Sequence, residues 1–139
     1  MLDFPTPRLR DYARETVIAE KFQAMVALGR ANSRMKDLYE IWILSRCFTF
    51  DDDRLPRAIA ATFTRRATAK PRDLPDALTP TFAEDAQKQR QWRAFVGDVA
   101  HDPGDFETVV RDIGAFLMPQ ASLAARLRYV VVRILNAAG

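Results

Sequence analysis

YARETVIAEKFQAMVALG (residues 12–29), RANS (30–33) and RMKDLYEIWILSRCF (34–48) together decide the fold. In the first segment Val17, Ile18, Phe22, Met25, Val26 and Leu28 recur with the 3.6-residue period of an amphipathic helix, and Gly29 is placed to stop it. Ser33 offers an N-cap to a second helix, Arg34 to about Phe48, with Leu38, Ile41, Trp42, Leu44, Ser45 and Phe48 on one broad face. Two helices joined by so short a turn are expected to pack antiparallel.

That packing gives two charged residues their interest. At about 100° per residue, Lys21 projects into the apolar arc of the first helix, between Leu28 and Met25, while Glu20 points the opposite way. A lysine there must snorkel, pair with an acid or meet an anionic ligand, because burying it unpaired is costly. Asp37 shares an edge with Ile41, Leu44 and Phe48, so it sits at the margin of the second apolar face. Lys21 and Asp37 therefore line one groove, either as a structural ion pair or as a phosphate-binding cation beside a carboxylate for a metal or a hydroxyl.

Moving outward, Pro5 and Pro7 make Met1 to Asp11 an extended lead-in. Asp51-Asp52-Asp53 precedes a third helix, about Arg54 to Thr68, with Leu55, Ile59 and Phe63 inward; three acids ahead of a first-turn Pro56 suit capping and the helix dipole better than metal binding. Residues 69–81 read as a proline-rich linker. Helices then run from about Phe82 to Val99, with Trp92 and Phe95 in the core, and from about Phe106, capped by Asp105, to Leu117, where Pro119 ends the run. A tail helix follows from Ala121 with Leu123, Leu127, Val130, Val131 and Ile134 at helical spacing. The expectation is one mostly α domain over residues 1–139, a bundle of five to six helices without a substantial sheet, comprising a core hairpin (12–48), the linker (69–81) and C-terminal helices (82–137).

One cysteine, Cys47, and one histidine, His101, leave no disulfide framework and no cysteine-rich zinc site, and no metal ligands are assigned. His101 lies in a turn, with no second ligand near it in sequence. The net charge of +3 is uneven: residues 1–75 hold 14 Lys/Arg against 10 Asp/Glu, residues 76–120 hold 4 against 8, and residues 121–139 hold 3 against none. Arg65, Arg66, Lys70 and Arg72 form a basic cluster that supports RNA contact only weakly. No segment reads as a signal peptide or is apolar enough to span a bilayer, and a cytoplasmic, reduced setting is expected.

Tyr12-Ala-Arg-Glu15-Thr-Val-Ile-Ala19-Glu20-Lys21, then Arg30, then Arg34-Met-Lys-Asp37-Leu-Tyr39-Glu40-Ile resembles the C-terminal helical half of the AbiEii/AbiGii nucleotidyltransferase-like toxins, the toxin class of type IV toxin–antitoxin systems. The family pattern is Glu-x-x-x-Ala-Glu-Lys on one helix, an arginine near the turn and Arg-x-x-Asp-x-Tyr-Asp on the next. The resemblance implies that Lys21 engages nucleotide phosphates, that Asp37 belongs to the active site, and that Arg30 and Arg34 are secondary phosphate or nucleic-acid contacts. Glu40 stands where the family has aspartate, keeping the charge on a longer side chain. Magnesium and a nucleoside triphosphate are implied for a complete family enzyme, with no cofactor for this chain alone. The family's glycine signature and strand-borne Asp-x-Asp have no counterpart before Tyr12, so the chain is expected to be a truncated or split form, inactive alone, with an N-terminal catalytic half or an antitoxin as partner. The alternative is a non-catalytic helical interaction module that binds another chain or forms a homo-oligomer.

Overall fold

The structure is a computed structural model that describes residues 7–29, 34–99 and 102–138, with side chains between Arg14 and Leu127 in those stretches. Six α-helices and one 3-10 turn make up its regular structure, with no strand among the described residues: α1 (Pro7–Leu28), α2 (Met35–Cys47), α3 (Arg54–Arg65), the turn Asp76–Leu78, α4 (Pro80–Ala83), α5 (Ala86–Val96) and α6 (Phe106–Ala138). The mostly α architecture is as expected. Ser33, Arg30 and His101 lie outside the described residues.

The hairpin forms as the periodicity predicts. α1 stops at Leu28, where Gly29 adopts φ +72° and its N–H donates to the Met25 carbonyl at 3.1 Å. Arg14 lies over the Phe48 ring at 4.5 Å, while Lys21 meets Asp37 and Glu40 further up α2, so the two helices run antiparallel. Phe48, expected on the apolar face, is instead 40% exposed beneath that guanidinium. Ile18, Ala19 and Phe22 of α1 and Leu38, Ile41 and Leu44 of α2 are buried, with Leu55, Ile59 and Phe63 of α3 closing the core from the next layer.

Four expectations about boundaries need correction. α1 begins at Pro7, not Tyr12: a proline in the first helical position gives up an N–H that has no helical acceptor anyway, and its fixed φ suits the helix. α3 ends at Arg65, not Thr68, because Ala67 turns left-handed (φ 51°), with Thr68 N–H donating to the Phe63 carbonyl at 2.8 Å and Ala67 N–H to Thr64 at 3.1 Å. These two bonds satisfy the orphan carbonyls of the last turn. The helix expected over 82–99 is two helices, because Thr79 Oγ1 accepts from Phe82 N–H and Asp85 accepts from Lys88 N–H, each starting a separate helix. Finally, Pro119 lies inside α6 and does not end it. Val109, Ile113, Leu117, Ala121 and Ala124 are all buried along one side of α6, and that continuous packing outweighs the roughly 3 kcal/mol that an interior proline costs.

An alanine held left-handed carries a cost of roughly 1–2 kcal/mol that glycine does not. Ala67→Gly is therefore expected to raise the unfolding free energy by about 1 kcal/mol, read from the urea midpoint at unchanged slope.

The stretch 69–81 is packed: Ala77 and Leu78 are buried, and Leu78 leads directly into α4, whose Phe82 meets Phe106 of α6 at 5.5 Å between ring centres. Asp105 caps α6 by accepting from Thr108 N–H at 2.8 Å, as its place before the apolar run predicts. Two polar ties close α6 against the hairpin, an ion pair between Arg46 and Asp112 and a hydrogen bond from Gln120 to the Phe50 carbonyl.

Candidate functional site

Lys21 sits on the edge of the buried stripe of α1, and Asp37 and Glu40 lie three residues apart on the facing edge of α2, where i and i+3 side chains share a helix face. The antiparallel hairpin brings the three together. Lys21 Nζ donates to Asp37 Oδ1 at 2.9 Å and lies 2.8 Å from Glu40 Oε2. All three side chains are about one-fifth exposed, so the cluster is half-submerged at a reachable margin of the core. Lys36, well exposed, approaches the other Glu40 oxygen at 3.8 Å.

Burial acts to lower the Lys21 pKa, but the hydrogen bonds to Glu40 and Asp37 and the charges behind them outweigh it, and the ammonium titrates above the ordinary lysine range. A raised folded-state pKa means the pair's stabilisation is complete below the unfolded value, roughly pH 10.4, and is lost as pH rises through the higher folded value. Alkaline titration of stability is accordingly expected to show a loss beginning above about pH 10 that is smaller in Lys21→Gln. An identical alkaline limb in both proteins would remove Lys21 as its source.

A shallow depression beside the cluster is lined by Lys21, Ala24, Met25, Leu28, Arg34, Asp37 and Leu38. Arg34 thus lies on the same rim as Lys21 and Asp37, its side chain exposed at the start of α2, where it makes no side-chain cap. The N-terminus of α2 adds positive potential to that rim. A roomier apolar cleft of about 450 Å³ lies elsewhere, between Leu74–Glu84 and the first turns of α6, and holds none of the predicted site residues.

Other charged motifs resolve into structural contacts. Arg65 and Arg66 both bind Glu20, at 2.7 and 2.8 Å, which takes up two of the four cations of the basic cluster. Asp52 accepts from the backbone N–H of Arg54 at 3.0 Å and from its guanidinium, and Asp53 pairs with Arg57 at 2.8 Å. The hydrogen bonds from Arg54 hold the Asp52 carboxyl below the usual range. The capping function therefore falls to Asp52, although Asp53 occupies the cap position. No group of three or more His, Cys, Asp or Glu gathers as a metal site among the described residues.

The family model described as nucleotidyl transferase AbiEii toxin, Type IV TA system, matches residues 1–112, from the first residue through the hairpin, α3 and the linker into the second turn of α6. The chain belongs to the AbiEii family. No curated protein and no solved structure matches it. The match spans α1 and α2, and Lys21 and Asp37, the two residues expected at the site from the sequence resemblance, are in contact at 2.9 Å.

Two further residues near the pair were not singled out from the sequence as site residues. Glu40 is the second carboxylate on Lys21, a relation implicit in its i+3 spacing from Asp37. Glu15 is 5% exposed, with one carboxylate oxygen 4.0 Å from Arg14 Nε and the other buried without a hydrogen-bond partner among the described residues. Its spacing of three and four from Ile18 and Ala19 places it on the core stripe, a signal that periodicity carries.

Proposed function

We propose that this chain provides the phosphate-binding half-site of an AbiEii-type nucleotidyltransferase. Lys21 takes the phosphates of a nucleoside triphosphate, Asp37 stands at the reacting centre, and Arg34 adds charge on the phosphate side; Arg30, the remaining motif cation, belongs to the same reading. The observation that carries this is the contact of Lys21 and Asp37 across two helices at a reachable margin, within a family match that covers both.

Nucleotidyl transfer is an in-line displacement in which charge develops on phosphate oxygens, so it calls for magnesium as well as lysine. Asp37 Oδ1 and Glu40 Oε2 both lie within 2.9 Å of the Lys21 ammonium, and hard carboxylate oxygens on one or two side chains would suit magnesium carried by a phosphate ligand. When bound, the metal would neutralise charge on the transferring phosphoryl group. The Asp-x-Asp carboxylates characteristic of the family lie outside these helices in this reading, and the chain by itself binds nucleotide without turning it over. No helix among the described residues is long and apolar enough to cross a membrane.

Calorimetric titration of the chain with magnesium and each of the four ribonucleoside triphosphates tests the reading. Saturable binding of at least one nucleotide, weakened about tenfold or more in Lys21→Ala, is expected from loss of a charge-assisted contact. Binding that Lys21→Ala and Asp37→Ala leave unchanged would reduce the pair to a structural bridge and favour the interaction-module alternative, in which sedimentation would reveal a homo-oligomer.

A further inference from the structure

The charge count of the Lys21 cluster poses a difficulty for any anionic ligand. One ammonium is shared by two carboxylates at 2.8 and 2.9 Å, so the cluster carries a net charge of −1. Both of the close partners hold the one proton-bearing group that a phosphate would need. Lys36 offsets this little, since it is 74% exposed and stands 3.8 Å from Glu40 on the solvent side. Arg34 on the same rim returns one positive charge, so what a triphosphate approaching Lys21 must overcome is the competition of two carboxylates already holding the ammonium.

The two carboxylates are not equivalent. Asp37 lines the depression beside Lys21 together with Arg34, whereas Glu40 is one turn further along α2 and outside that lining. Glu40 reaches Lys21 Nζ through the extra methylene that distinguishes it from aspartate, and Asp37 alone would leave the cluster neutral. Glu40 is therefore the residue that tips the balance against an anion.

We propose that Glu40 acts as an electrostatic gate, making phosphate binding at Lys21 conditional on a divalent cation. Glu40 holds the ammonium while no cation is present; with a divalent cation shared between its carboxylate and the ligand, Glu40 releases Lys21 to the phosphates. No bond is made or broken, and the exchange is one of ion pairs. The inference rests on Lys21 being the phosphate-binding cation, and it adds that the chain discriminates metal-bound triphosphate from the free anion.

Calorimetry with inorganic triphosphate, once in excess magnesium and once in chelator, reads the gate directly, with wild type, Glu40→Gln and Glu40→Asp compared. Magnesium itself changes the ligand's charge, so the quantity of interest is the ratio of affinities with and without metal, compared between proteins. Wild type is expected to bind at least about tenfold more tightly with magnesium, and Glu40→Gln to bind the metal-free anion about tenfold more tightly than wild type, reducing the ratio to within about twofold. Glu40→Asp keeps the charge but shortens the reach to Lys21, so its ratio is expected to lie between those of wild type and Glu40→Gln; it also serves as a folding control, with far-ultraviolet circular dichroism compared across the three. A wild-type ratio near one, or the same ratio in Glu40→Gln as in wild type, overturns the gate while leaving the Lys21 reading intact if binding still falls in Lys21→Ala. Absence of binding by all three proteins under both conditions overturns the Lys21 reading and the gate with it.

Discussion

Replacing Phe22 by alanine is expected to lower the unfolding free energy by about 3–5 kcal/mol, the range for deleting a fully buried aromatic ring. Phe22 has no solvent exposure and faces Phe63 of α3 at 5.2 Å between ring centres, tilted by 58°. It is the central residue of the α1 stripe between Ile18 and Met25, and it lies one position from Lys21. The cavity would open between α1 and α3, whose buried residues belong to the one core that the six helices share. A domain of this size has roughly 5–15 kcal/mol in total, so the substitution removes a large share. The check is chemical denaturation at constant slope; a loss below about 1 kcal/mol would mean that the α1–α3 layer is not packed as described.

Trp92→Ala is expected to cost as much, about 3–5 kcal/mol, but for a different mixture of reasons. Trp92 is 1% exposed and packs between Phe95 at 5.9 Å and Phe106 at 5.4 Å, joining α5 to the start of α6. Its indole N–H donates to the Gly104 carbonyl at 3.1 Å, and so fixes the turn in which Gly104 adopts φ +97°. Trp92→Phe separates the two contributions. It keeps most of the ring packing and loses the hydrogen bond, leaving the Gly104 carbonyl short of a donor, so a loss of about 1–3 kcal/mol is expected. If Trp92→Phe proved as damaging as Trp92→Ala, the hydrogen bond and not the ring would be what holds α5 to α6.

The hairpin was readable in the sequence because it depends on local spacing, and the same spacing put Lys21 and Asp37 on facing apolar margins without deciding whether they touch. Gly29 marks the end of α1, the 3.6-residue period gives both buried faces, and a lysine inside an apolar arc calls for a partner within reach. Asp37 is that partner in the structure, and Glu40 was equally accessible through its i, i+3 spacing from Asp37. What could not be read were the outcomes of competition between local and distant forces. Pro119 is a helix terminator by its own chemistry, yet buried side chains from Val109 to Ala124 hold α6 through it. The apolar run after Phe82 suggested one helix, but two side-chain caps, Thr79 and Asp85, divide it. Glu20 drawing Arg65 and Arg66 together spans 45 residues in the case of Arg65, and no local pattern announces it.

The ties from α2 and its following loop to α6 bear on the order in which the chain assembles. Lys21 and Asp37 are 16 residues apart, whereas Arg46 and Asp112 are 66 apart and Phe50 and Gln120 are 70 apart. Closing long loops costs entropy before any contact repays it, so the α1–α2 hairpin is favoured to form early and the seam with α6 late. Interactions that form after the rate-limiting barrier govern escape from the native state more than arrival at it. Substitutions that break the Arg46–Asp112 and Gln120–Phe50 contacts are thus expected to shorten native-state lifetime more than they slow folding.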